Sequence, residues 1–117
     1  MSRARKIHRC LKIVEYTSLP LTLLLLIYVL SGYGTVSPVP GVIGFTYPTS
    51  VRIHTLPLLR YLTAAIAALH LYGGAVVLAH RRVRNAILVR VIEVVGLALA
   101  LLTVALATIS EIYMILS

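Results

Sequence analysis

Cysteine occurs once in this chain, as Cys10. A single thiol excludes an internal disulfide and any cysteine-ligated iron–sulfur or zinc site within the chain. It reads as a free thiol near the cytoplasmic surface. Charge is also scarce: 12% of the 117 residues are charged and 60% are hydrophobic. Soluble domains are about 45–50% apolar, so this composition excludes an ordinary soluble domain. Internal repeats and low-complexity stretches are missing too. The basic start, MSRARKIHR, precedes a full-length apolar run with no small-x-small cleavage site, so the first segment is expected to stay as a helix rather than leave as a signal peptide.

What is present is apolar length. A spanning helix needs about 20 mostly apolar residues, and three segments qualify, at about 11–31, 57–80 and 86–116. An outer loop over 32–56 and a cytoplasmic loop over 81–85 connect them. The expected fold class is all-α, an integral membrane bundle of three transmembrane helices forming a single membrane domain over 1–117. No room is left for a soluble catalytic domain, which would have to come from another chain.

The net charge of +8 raises a nucleic-acid partner, and the distribution of that charge argues against one. Arg3, Arg5, Lys6, Arg9 and Lys12 precede or open the first helix, and Arg81, Arg82, Arg84 and Arg90 surround the short loop. Only Arg52 and Arg60 belong to the other side. This is the positive-inside pattern, which predicts a multi-pass protein of the cell membrane with its N-terminus cytoplasmic and its C-terminus outside. Contact with anionic lipid is a secondary use of the same charge.

Local signals refine the plan. Pro20 lies within the first helix and removes a backbone hydrogen bond, which predicts a kink. Glu15 is expected to pair with a neighbouring Lys or Arg. Ser31, Gly32 and Gly34 end the helix; Gly32-Tyr33-Gly34 lacks the pore helix and preceding Thr-Val of a potassium-channel filter. The long loop is broken by Pro and Gly, yet Val42, Ile43, Phe45 and Tyr47 make it greasy enough to lie on the membrane surface or cap the bundle. Pro57 suits the first turn of the second helix. The third helix, about 30 residues long, exceeds the hydrocarbon thickness and must tilt or protrude. Within it Glu93 has Arg90 at i−3 as a natural partner, and Gly96 with Ala100 suits close helix contact.

The second helix carries the candidate site. His70 sits at mid-span, where an ionisable side chain costs roughly 2.5–3.5 kcal/mol and so usually faces a partner rather than lipid. At about 100° per residue, Arg60, Thr63, Ala67, His70, Gly74, Val77 and Arg81 share one face. An axial nitrogen, small neighbours and a cation near each end are what haem b needs: a ligand, a groove for the macrocycle, and partners for the propionates. The same stripe also suits a proton-relay or quinone-site histidine, or a histidine that simply bonds a neighbouring helix. His54, before Pro57, is a candidate ligand for a second haem near the outer surface, although a continuous helix would turn it to the opposite face. His80 and His8 read as solvated or lipid-facing residues at the basic end.

His70 and Gly74, in LHLYGGAVVLAHRR, resemble the H-x-x-x-G segment of the cytochrome b membrane anchors of succinate dehydrogenase and fumarate reductase. The three-helix plan, small size and basic tail agree with those anchors. The resemblance implies that His70 is an axial ligand of haem b and that a quinone binds nearby. A second pattern, with Ser31-Gly32 closing helix one, His54 before helix two and His70 within it, resembles a broader class of small cytochrome b subunits of dehydrogenases and hydrogenases. The succinate dehydrogenase anchors place His-Arg and Ser-Gly together at the start of helix one, whereas His8-Arg9 and Ser31-Gly32 stand at opposite ends here.

Such subunits usually use two axial histidines, so the counterpart of His70 would come from a second copy or another membrane subunit. The expected function is a membrane anchor that passes electrons between peripheral dehydrogenase subunits and the quinone pool through haem b. Two other readings remain open: a cofactor-free structural membrane subunit of a larger complex, and a small proton-linked transporter component.

Overall fold

A computed structural model describes residues 2–117. Four α-helices, with no strand among the described residues, make up the fold: α1 (Arg3–Gly34), α2 (Tyr47–His54), α3 (Pro57–Arg82) and α4 (Ala86–Leu116). Helices α1, α3 and α4 are each long and apolar enough to cross a membrane. The chain is therefore a multi-pass membrane bundle of three spanning helices. The bounds of α3 and α4 lie close to those expected from hydropathy. Those of α1 do not.

Helix α1 starts eight residues earlier than the apolar run, because nothing in the basic segment stops it. Ser2 caps it, its Oγ accepting from the Arg5 N–H at 3.3 Å, and Arg, Ala and Lys are good helix formers. The helix runs unbroken through Pro20. At 1.5 Å per residue its 32 residues span about 48 Å, well beyond a hydrocarbon core of about 30 Å. The basic first turns therefore extend past the core as helix rather than as a loose tail.

The long connection is also more ordered than its prolines and glycines suggest. A 3-10 turn over Val39–Ile43 ends at Gly44, whose φ of +100° only glycine adopts readily. Helix α2 then follows, with proline in its first turn. It folds back on α1 through Ser50, which is fully buried. A Cβ added at Gly34 would fall 1.9 Å from Ser50 Oγ and 2.8 Å from the Phe45 carbonyl oxygen. Gly34 thus serves this close approach, not a left-handed helix end.

Helix α3 lies between α1 and α4 and packs on both. Its two contact faces use small residues, as membrane helices do. Towards α4, a Cβ at Gly96 would lie 2.8 Å from that of Ala75, and Ala100 is buried one turn on. Towards α1, a Cβ at Gly73 would lie 3.1 Å from the Cys10 carbonyl oxygen and from Ile13 Cγ2. The outcome is a flattened unit, 50 × 35 × 20 Å, whose leucines and valines mostly point outward. Outward apolar side chains suit helices that face lipid. Asn85 caps α4, its Oδ1 accepting from the Ile87 and Leu88 N–H groups.

Candidate functional site

Polar contacts between the spanning helices occur at three heights: the loop end near α2, the middle, and the basic end. The middle one belongs to His70. Its Nδ1 lies 2.9 Å from Thr17 Oγ1 on α1, and that hydroxyl also lies 2.6 Å from the Ile13 carbonyl oxygen. A carbonyl can only accept, so the Thr17 hydroxyl donates to Ile13 and its oxygen accepts from His70 Nδ1–H. That arrangement leaves the lone pair on Nε2. The imidazole is half-buried, and Nε2 has no partner and is not enclosed among the described residues. A histidine that ligates a metal usually has its other nitrogen held in this way.

His54 repeats the arrangement at the loop end. Its Nδ1 lies 3.0 Å from Ser31 Oγ, which donates in turn to the Tyr28 carbonyl oxygen at 3.2 Å. The ring stands edge-on to Tyr28, centroids 5.1 Å apart, and the open face of Gly32 leaves it room. Its Nε2 is likewise unpartnered and not enclosed. The break between α2 and α3 at Thr55 and Leu56 releases His54 from the register of α3, so it does not turn to the far face as a continuous helix would place it. Thr17 and Ser31 are 14 residues apart on α1, about 21 Å along the axis and about 40° from eclipsed. Both histidines therefore lean on one side of α1 at two depths. They do not converge on a single site.

The two arginines of the stripe have different fates. Arg60 is engaged: Nε and Nη2 donate to Glu111 at 2.6 and 3.0 Å, and Nη1 donates to the Thr55 carbonyl oxygen at 3.1 Å. Arg81 is exposed and has no ion-pair or hydrogen-bond partner among the described residues. It shares a surface groove of about 320 Å³ with Val14, Gly74 and Val77. Position 74 is open, with no atom within 4 Å of an added Cβ. The adjacent glycines thus divide their work: Gly73 admits α1, and Gly74 floors a groove one turn from His70.

At the basic end Glu93 is 6% exposed and takes both His80 Nε2 and, at 2.5 Å, Lys6 Nζ; Arg90 stands further off at 3.5 Å. His80 therefore faces a carboxylate rather than solvent or lipid. Lys6 is out of view of local spacing because it lies 87 residues away in sequence. Glu15 pairs with Lys12 at 3.4 Å, as its neighbourhood predicts. Cys10 is free and buried, and His8 is exposed.

No group of three or more His, Cys, Asp or Glu side chains able to hold a metal ion occurs among the described residues. What the chain offers is single imidazole nitrogens, each with its partner nitrogen tied to a hydroxyl on α1. Compared with family models, curated proteins and solved structures, the chain matches none of them.

Proposed function

We propose that this chain is a membrane anchor and electron-transfer subunit that holds haem b and links peripheral dehydrogenase or reductase subunits to the quinone pool of the cell membrane. The observation that carries the reading is the Thr17–His70 bond, which leaves Nε2 unpartnered at mid-span. A histidine kept only for helix pairing has no need of that second nitrogen. Fixed at Nδ1 by a hydroxyl, the ring is preorganised to present Nε2.

The donor set suits haem better than a protein-built metal cage, since haem iron could be held by a single histidine nitrogen from this chain. His70 would hold the group, and His54 would hold a second one nearer the loop end. Gly74 leaves open space beside His70, and Arg81 supplies an uncommitted cation for a propionate. Arg60, tied to Glu111, acts in this reading as a strut between α3 and α4. Haem iron supplies reversible one-electron chemistry when bound. The chain contributes orientation, apolar surroundings that set the potential, and exclusion of water.

One histidine at each depth makes half of a bis-histidine site. The other half comes from a second copy of the chain or from another membrane subunit. The positive-inside charge pattern supports an orientation with the basic end in the cytoplasm, where peripheral subunits would dock.

Reduced-minus-oxidised absorption spectra of the purified protein test the proposal. A b-type α-band that disappears in His70→Ala is expected, with an oligomer in detergent. A colourless, stably folded protein, both alone and when isolated from membranes with its bound subunits, would overturn it and leave a cofactor-free structural subunit, for which the Thr17–His70 bond is the supporting contact. pH-dependent flux in liposomes without any partner would point instead to the transporter reading.

A further inference from the structure

We propose that the basic end of the bundle is a binding site for one anionic phospholipid, its phosphate held by Arg3, Arg84 and Arg90 and one acyl chain laid along the seam between α3 and α4. The site is a cavity of about 380 Å³ at that end, lined by Arg3, Arg84 and Arg90 together with Glu93, Lys6 and His80. Glu93 is the only carboxylate there, and it already takes Lys6 and His80. Arg3 gives Nη2 to the His80 carbonyl oxygen at 2.9 Å, a neutral acceptor that leaves its charge uncompensated. Arg84 has no polar partner among the described residues. Arg90 touches Glu93 only at 3.5 Å, with its side chain 74% exposed. Three open guanidinium forks around one concavity match the planar, bidentate recognition of phosphate.

The groove does not stop at the charges. Lys6, Arg90 and Glu93 also line a smaller hollow of about 60 Å³ that reaches Tyr72 and Leu97. Those two residues in turn line an apolar furrow of about 250 Å³ that runs between Ala65 on α3 and Val104 on α4. From Arg90 to Val104 is about 21 Å along α4. Half a hydrocarbon core is about 15 Å, so an acyl chain fits that run. A charged head region joined to an apolar trough at the membrane boundary favours a phospholipid over a free anion. The far end provides the contrast, because Glu111 already neutralises Arg60 there.

The test uses the full-length chain, purified, stripped of lipid and held in detergent. Native mass spectrometry follows titration with dioleoyl phosphatidylglycerol, with dioleoyl phosphatidylcholine, and with inorganic phosphate. One phosphatidylglycerol per chain, held in preference to phosphatidylcholine, is expected. The double variant Arg84→Ala/Arg90→Ala should bind it about thirtyfold more weakly, for two cations at roughly 1 kcal/mol each. Arg5→Ala/Arg9→Ala removes the same charge from exposed α1 positions outside the cavity and should bind like the parent. Equal losses in both double variants would mean diffuse attraction and overturn the site. So would equal binding of phosphatidylcholine. Displacement of phosphatidylglycerol by an equal concentration of inorganic phosphate would assign the cavity to a free anion and overturn the lipid.

Discussion

Gly73 on α3 lies against the backbone of Cys10 on α1, so close that a Cβ there would sit 3.1 Å from the Cys10 carbonyl oxygen. Its neighbour Gly74 has no atom within 4 Å of the same added carbon. Two adjacent glycines therefore make opposite predictions. Gly73→Leu overpacks a helix contact whose near neighbour is backbone, and should cost about 1–3 kcal/mol. Gly74→Ala should not destabilise, and the better helix propensity of alanine should add up to about 1 kcal/mol. Unfolding titrations in mixed micelles measure both. Equal effects at the two positions would mean that α1 and α3 meet differently.

Cys10 reports on the same contact. It is buried and free, so a water-soluble maleimide should label it slowly in the folded protein and quickly after denaturation. Gly73→Leu should speed labelling of the folded form by prising α1 away, whereas Gly74→Ala should not. Fast labelling of the parent protein would contradict the burial of Cys10.

Thr17→Val separates the two roles open to His70. The substitution keeps shape and removes the hydroxyl that holds Nδ1. As a helix-pairing contact, the lost bond costs on the order of 0.6 kcal/mol, the average for hydrogen bonds between membrane helices. If His70 ligates haem, the loss of its orienting partner should also weaken retention of the group by roughly tenfold to a hundredfold. Thr17→Ser should restore it. Haem content per protein and unfolding midpoint, measured side by side, read the two effects independently.

These cases show what was legible in the sequence and what was not. The three spans follow from apolar run length alone, and α3 and α4 begin at punctuation that can be read directly, Pro57 and Asn85. Helix α2 was hidden because prolines and glycines dominate the connection, and because Ser50 meets Gly34 of α1, a contact that local sequence does not reveal. His70 stands out by its cost at mid-span, and Ser31 stands out with His54 as part of the Ser-Gly pattern, although not as its hydrogen-bond partner. Thr17 and Glu111 do not, since a residue's angle is fixed on its own helix while the register of the neighbouring helix is set by packing. Glu111 could have been noticed on one ground: with only three acids in the chain, each one near an apolar span needs a cation, and Arg60 stands at the matching end of the antiparallel neighbour.

Arg60 and Glu111 should behave as a single unit. Arg60→Ala and Glu111→Ala are each expected to lower the thermal midpoint, because each leaves its partner's charge without a counterpart. The double variant should fall no further than the worse single variant, since contacting residues in one network are not additive. Additive losses would show that Arg60 has a separate partner, and would return it to the set of cations open to a propionate.

Glu93 is the strictest test of the basic end. It is nearly enclosed and accepts from both Lys6 on α1 and His80 on α3, so one carboxylate on α4 ties all three spanning helices together. Removing one member of an enclosed ion pair leaves the remaining charge uncompensated, which destabilises by several kcal/mol when burial is complete. Lys6 retains partial access to water, with 27% of its side chain exposed, so the expected cost of Glu93→Leu is smaller, about 1–3 kcal/mol. Glu93→Gln keeps the shape and one acceptor oxygen and should lie between the two. Lys6→Met in the Glu93→Leu background should recover part of the loss, because it removes the stranded cation. Urea unfolding in micelles reads all three. If the combined variant is no better than Glu93→Leu alone, the Lys6–Glu93 pair does not tie α1 to α4.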